Sequence, residues 1–187
     1  MNKHLEPIFR KVLPALDEAD IDYWVYGGVA IAGIEGDFYR YNEDVDIFIF
    51  DNDYQRTLEV IENLNYNWSK VKHAKLLNGI RPKEEYFVKD QKEDIFSVIP
   101  VYKINDNKIK FVYSKDLVPV NPLTREKRII GSYTFFTPGS EFIKEQFIHK
   151  IKGKIFKQAE LSENEEKDAE VLFGPDYLKT ITALVHS

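Results

Sequence analysis

Two aspartates stand one residue apart at the head of an apolar run, Asp44-Val45-Asp46-Ile47-Phe48-Ile49-Phe50. Successive side chains of a strand point to opposite faces, so Asp44 and Asp46 share one face while Val45 and Ile47 take the other. Two carboxylates in one small volume repel each other unless a cation neutralises them or one takes a proton. An all-oxygen pair suits Mg2+ or Mn2+, hard cations that keep waters and accept phosphate oxygens as further ligands. The pair also fits a solvated strand end, and the motif alone does not separate the two readings.

Upstream, Gly27-Gly28 halts the β-branched and aromatic run Ile21 to Tyr26 and precedes Val29 to Ile34, a stretch suited to a short buried helix. The pattern is strand, glycine turn, helix. With no Cβ in the way, backbone N–H groups can approach a phosphate closely, and the helix N-terminus adds a favourable field. An ordinary tight turn uses the same pair. Its combination with the two aspartates on the next strand strengthens the phosphate reading.

The elements that must position these groups follow from periodicity. Leu5, Ile8, Phe9, Val12, Leu13 and Leu16 recur at helical spacing, predicting an amphipathic helix from about Lys3 to Ala19 with its prolines as the weak point. Val45 to Phe50 reads as a strand closed by Asp51-Asn52-Asp53, where Asp53 or a neighbour can cap a helix carrying Leu58, Ile61 and Leu64. Strands are expected at Glu85 to Val88 and at Asp94 to Ile99, the second stopped by Pro100. Tyr102 to Ile104, a polar turn over Asn105-Asp106-Asn107, and Ile109 to Tyr113 make a hairpin. Beyond Pro138-Gly139 the pattern turns helical, with Phe142, Ile143, Phe147, Ile148, Ile151 and Ile155 on one face. Ser162 and Glu165 have capping-box spacing for a helix through Phe173, and Pro175 to Val185 suits a last short one.

At 187 residues the chain holds one substantial core. Without cysteine it has neither disulfides nor thiolate metal sites, and no start resembling a signal peptide is seen, so a cytoplasmic protein is expected. A net charge of −5 argues against broad nucleic-acid binding, which calls for a basic surface, and is compatible with a phosphorylated small molecule met through a metal. No window is apolar enough to cross a membrane.

Taken together, Gly27-Gly28, a helix and loop ending in Arg40, and Asp44-Val45-Asp46 on a strand resemble the signature of the nucleotidyltransferase superfamily with the DNA-polymerase-β-like fold. The likeness is greatest to small bacterial lincosamide and aminoglycoside nucleotidyltransferases and to those of toxin–antitoxin and abortive-infection systems, and it covers about Ile21 to Phe173. It implies an α+β fold, a mixed twisted sheet with flanking helices and a C-terminal helical segment, divided as a core over 1–137 and helices over 138–187. It implies transfer of a nucleoside monophosphate from a nucleoside triphosphate to a hydroxyl of a small acceptor, releasing pyrophosphate. In this family a third carboxylate comes from a later strand beside the first pair. Lys92 to Pro100 is the matching stretch, with Asp94 as that residue and Glu93 as the alternative one register away. Asp44, Asp46 and Asp94 would then hold two Mg2+ or Mn2+ ions, Asp94 also taking the acceptor's proton. Gly27 and Gly28 would cradle the outer phosphates, and Arg40 and Lys150 would reach the triphosphate unless they are solvent-facing charges. His73 and His149 have no placed partners and read as structural or surface groups. Two other outcomes stay open: a toxin-like transferase acting on a protein or tRNA, and a nucleotide-binding module without activity.

Overall fold

The computed structural model describes residues 2–70, 84–88, 96–111, 118–119, 123–157 and 159–186. The chain enters through a 3-10 turn (Lys3–Leu5), a π-helical stretch (Ile8–Val12) and α1 (Leu13–Glu18). One continuous α-helix was the expectation here. Pro14 lacks an N–H and crowds the carbonyl four residues back, and the chain widens so that the Leu13 N–H reaches Ile8 O. The apolar stripe is nevertheless buried as its spacing requires, from Leu5 to Leu16.

β1 (Tyr23–Tyr26) leads into α2 (Gly27–Glu35), then β2 (Val45–Phe50). A 3-10 turn over Asp51–Asp53 runs directly into α3 (Tyr54–Asn63). The Asp53 side chain makes no cap, contrary to expectation, since its backbone is already helical; the Thr57 hydroxyl instead donates to Asp53 O at 2.9 Å. Next come β3 (Tyr66–Lys70), β4 (Glu84–Val88), β5 (Phe96–Asn105), β6 (Lys108–Phe111) and β7 (Val118–Pro119). These strands form one mixed sheet in the order β1-β2-β5-β4-β3, with β6 also pairing with β5, and β7 with β6. β1 is antiparallel and β5 parallel to β2.

β5 does not stop at Pro100. On the edge away from β2, the β4 ladder ends at Val98 and the β6 ladder begins at Val101, so the missing proline N–H falls where neither neighbour pairs. The hairpin expected from Tyr102 onward is present as the end of β5, a turn at Asp106-Asn107, and β6.

Both faces of the sheet are buried. Tyr23, Val25, Val45, Ile47, Ile49, Phe96 and Val98 face the N-terminal helices and α3, while Trp24, Phe48, Ile99 and Val101 pack with Phe111 and Phe142 on the other side. A separate hairpin, β8 (Glu126–Ile130) and β9 (Tyr133–Thr137), sets Phe135 into the first core. The C-terminal helices α4 (Ser140–Phe156), α5 (Glu163–Phe173) and α6 (Tyr177–His186) bury Ile143, Phe147, Ile151, Leu172 and Ile181 against Ala30 and Ile31 of α2. The predicted capping box is formed: Ser162 Oγ accepts from the Glu165 N–H, and Glu165 accepts from the Ser162 N–H. Among the described residues no helix is long and apolar enough to cross a membrane.

Candidate functional site: a glycine turn facing Asp46

The site is built where β1, β2 and α2 converge. Tyr26 and Asp46 are cross-strand partners, so their side chains lie on the same face at the end of the sheet. Tyr26 stacks on Phe48 with ring centroids 4.4 Å apart. Burial, reinforced by the charge of Asp46, pushes the Tyr26 hydroxyl above its ordinary pKa and keeps it protonated.

The expected glycine turn followed by a helix from Val29 is corrected: α2 starts at Gly27 itself, directly after the extended Tyr26. Gly27 adopts φ +70°, a conformation that costs a side-chain-bearing residue free energy. A Cβ on it would stand 3.0 Å from Asp46 Oδ2, so the absence of a side chain lets the carboxylate lie over the helix start. At Gly28 a Cβ would meet Arg40 Nη2 at 2.0 Å and Asn42 Oδ1 at 2.4 Å. No side chain caps this helix N-terminus.

The loop between α2 and β2 is fixed from two directions. Asn2 takes the Asn42 N–H on its Oδ1 and donates its Nδ2 to Arg40 O, each at 2.8 Å. Arg40 then spans to α5, giving Nε to Asp168 Oδ1 at 2.5 Å and Nη2 to Oδ2 at 2.9 Å, while Nη1 donates to Tyr41 O. The Tyr39 hydroxyl donates to the same carboxylate at 2.5 Å. Burial works against the Arg40 charge, but Asp168 more than offsets it and raises the guanidinium pKa. Asp168 raises that of Tyr39 too, after burial. The Arg40 fork is therefore used on a carboxylate within the protein.

A pocket of about 240 Å³ brings together Gly27, Gly28, Arg40, Asp46 and Lys150, with an apolar wall from Ile31, Ile143 and Phe147. Lys150 stands at its rim, exposed and 4.0 Å from Glu165. Asp44 precedes β2, half-buried, and is not among the lining residues. His149 is exposed on α4. Asp94, Glu93 and His73 lie outside the described residues. Asn2, Asn42 and Asp168 were not singled out as site residues by sequence reasoning, because each acts through a partner 38 or more positions away.

On the far side of Asp46, the β2–β5 register pairs it with Ser97. Paired residues of neighbouring strands share a face, so Ser97 belongs to the Asp46 side of the sheet. Its side chain is fully buried, and Oγ has no hydrogen-bond partner among the described residues. Among the described residues no group of three or more histidine, cysteine, aspartate or glutamate side chains could hold a metal ion.

Residues 8–80 match the model of the aminoglycoside-2''-adenylyltransferase family. The solution structure of the antibiotic-resistance factor ANT(2'')-Ia superimposes with a TM-score of 0.69 at 13% identity, covering 100% of this chain and 93% of that one. The fold is that of the nucleotidyltransferase superfamily. Within it the chain resembles the aminoglycoside and lincosamide enzymes. ANT(2'')-Ia in complex with adenylyl-2''-tobramycin gives 0.64 at 12%, covering 96% and 95%. The lincomycin-bound lincosamide adenylyltransferase LnuA gives 0.60 at 14%, covering 92% and 96%. No curated protein matches the sequence. The α+β fold with a mixed sheet and flanking helices, which the resemblance implies, is thereby established.

Proposed function

We propose that this protein is a nucleotidyltransferase that moves a nucleoside monophosphate from a nucleoside triphosphate to a hydroxyl of a small acceptor in the cytoplasm, releasing pyrophosphate. The observation that carries the reading is the contact between Asp46 and the glycine start of α2 within one pocket. The half-buried carboxylates of Asp44 and Asp46 fit a hard divalent cation in donor chemistry, and the side-chain-free Gly27 leaves room beside Oδ2. Bound there by Asp44 and Asp46, Mg2+ or Mn2+ would supply charge neutralisation for the triphosphate and for the displacement at the α-phosphorus.

The chain's own groups do the rest. The uncapped first turn of α2 offers backbone N–H groups to the phosphate tail. Lys150 reaches in from the rim as a flexible point charge. Arg40 and Asp168 hold the helical segment over 138–187 against the core over 1–137, so that Ile143 and Phe147 wall the pocket. The resemblance assigns the acceptor's proton and a second ion to Asp94. Support for a small acceptor comes from the likeness to proteins whose structures carry adenylyl-tobramycin and lincomycin.

One observation favours a second reading, a triphosphate-binding module without transfer: Ser97 is a hydroxyl at the β5 position facing Asp46. Incubation with α-labelled nucleoside triphosphates, Mg2+ and a panel of aminoglycosides, lincosamides and sugars separates the two. Label on one acceptor class with matching pyrophosphate is expected. Tight triphosphate binding with no transfer to any hydroxyl would support the module instead.

A further inference from the structure

We infer that Gln146 is a further substrate-binding residue, its side-chain amide donating to the phosphate tail between the start of α2 and Lys150; the inference rests on the function proposed above. Gln146 lies on α4 and lines the pocket together with Ile143, Phe147 and Lys150 of the same helix. The four stand at positions i, i+3, i+4 and i+7, so they share one face. Across the groove are Gly27, Gly28 and Ile31 of α2.

What the pocket can hold follows from which of these groups are open. Ile31, Ile143 and Phe147 are only 4%, 2% and 5% exposed, because they belong to the core where α2 meets α4. The Tyr26 ring is engaged by Phe48 and Phe142. A nucleobase is held by stacking on an open aromatic or apolar face, and this floor has little to give. Polar groups remain: the uncapped N–H groups at the start of α2 on one side, the Gln146 amide and the Lys150 ammonium on the other. Such a lining suits an anion.

Gln146 is half-buried, and among the described residues its amide makes no hydrogen bond. A polar group drawn partly out of water gains most from a ligand that supplies its partner. Arg40, the other cation of the pocket, gives Nε and Nη2 to Asp168, which leaves the α4 face to meet charge arriving beside Gly27 and Gly28. Gln146 and Lys150 are one helical turn apart, about 5–6 Å between Cβ atoms, so they can engage different phosphates of one tail. Nε2 donates while Oε1, an acceptor, turns to water.

The test is calorimetric binding of ATP, AMP and the other nucleoside triphosphates, with Mg2+, to the wild type, Gln146→Ala and the near-isosteric Gln146→Glu. ATP should bind several-fold more weakly to Gln146→Ala and at least about tenfold more weakly to Gln146→Glu, whose charge would repel the tail. AMP affinity should change by less than about twofold, and every triphosphate should lose the same factor whatever its base. Equal losses for ATP and AMP, a loss confined to one base, or unchanged ATP affinity in both variants would overturn the inference and leave the proposed function standing. If Gln146→Glu does not fold, Gln146→Ala decides alone. A wild type that binds no triphosphate would overturn the proposed function itself, and the inference with it.

Discussion

Arg40 and Asp168 lie 128 residues apart in sequence and meet through two parallel hydrogen bonds, with side chains only 10% and 3% exposed. The pair joins the loop before β2 to α5 and closes one side of the pocket. Removing one partner of a buried pair leaves an uncompensated charge and costs about 3–5 kcal/mol. Arg40→Ala should therefore lower unfolding free energy by that order in urea melts, and Arg40→Met with Asp168→Leu should recover most of it. A loss below about 1 kcal/mol in the single variant, the value for exposed pairs, would contradict the buried geometry.

The same guanidinium excludes a side chain from Gly28. Overpacking of this kind costs about 1–3 kcal/mol, so Gly28→Ala should be destabilising and should weaken triphosphate binding. Arg40 Nη2 is the closest obstacle, at 2.0 Å, and a double-mutant cycle with Arg40→Ala should show the two changes coupled. Strict additivity would mean that Arg40 is not what fills the space.

Glu165 makes helix α5 acid-sensitive. Burial opposes its charge, but Lys154 and the Ser162 backbone and hydroxyl outweigh it, lowering its pKa from 4.5 to about 2. A carboxylate depressed on folding contributes stability that is complete above the unfolded value and is lost as pH falls towards the folded one. The stability gap between wild type and Glu165→Gln should thus be level from pH 7 to 5 and shrink between 4.5 and about 2. A gap that is flat down to pH 2.5, followed by chemical denaturation, would count against the ion pair and capping box as drawn.

Lys150 is exposed, and surface substitutions away from packed features usually change stability by no more than about 0.5 kcal/mol. Lys150→Ala should leave the urea midpoint almost unchanged and raise the triphosphate Kd several-fold by calorimetry. Unchanged affinity would remove Lys150 from the phosphate site.

What the sequence made legible was whatever depends on local pattern. The strand Val45–Phe50 with Asp44 just before it, the helix after Tyr26 (though not its start at Gly27), the face of α4 and the Ser162–Glu165 box follow from periods of two and 3.6 and from capping chemistry. β3, β7, β8 and β9 escaped: Tyr66–Lys70 alternates aromatic and polar residues over only five positions, Val118–Pro119 is two residues long, and Glu126–Ile130 and Tyr133–Thr137 show no alternation, with three charges in a row in the first. Pro100 misled for a related reason: whether a proline ends a strand depends on where its neighbours' ladders stop, and no local pattern records that. Ser97 opposite Asp46 and Arg40 on Asp168 are likewise matters of register and tertiary approach. The sequence singled out Arg40 from its position before the aspartates. Its carboxylate partner became visible only when α5 was packed beside it.

The central claim, that Asp46 and the start of α2 form a metal-assisted triphosphate site, is tested most directly by calorimetric binding of ATP to the wild type and to Asp46→Asn, each with Mg2+ and with EDTA. Binding is expected for the wild type with Mg2+, weakened by at least about tenfold, or about 1.4 kcal/mol, when either the metal or the Asp46 charge is removed. Equal affinity in all four measurements would contradict it.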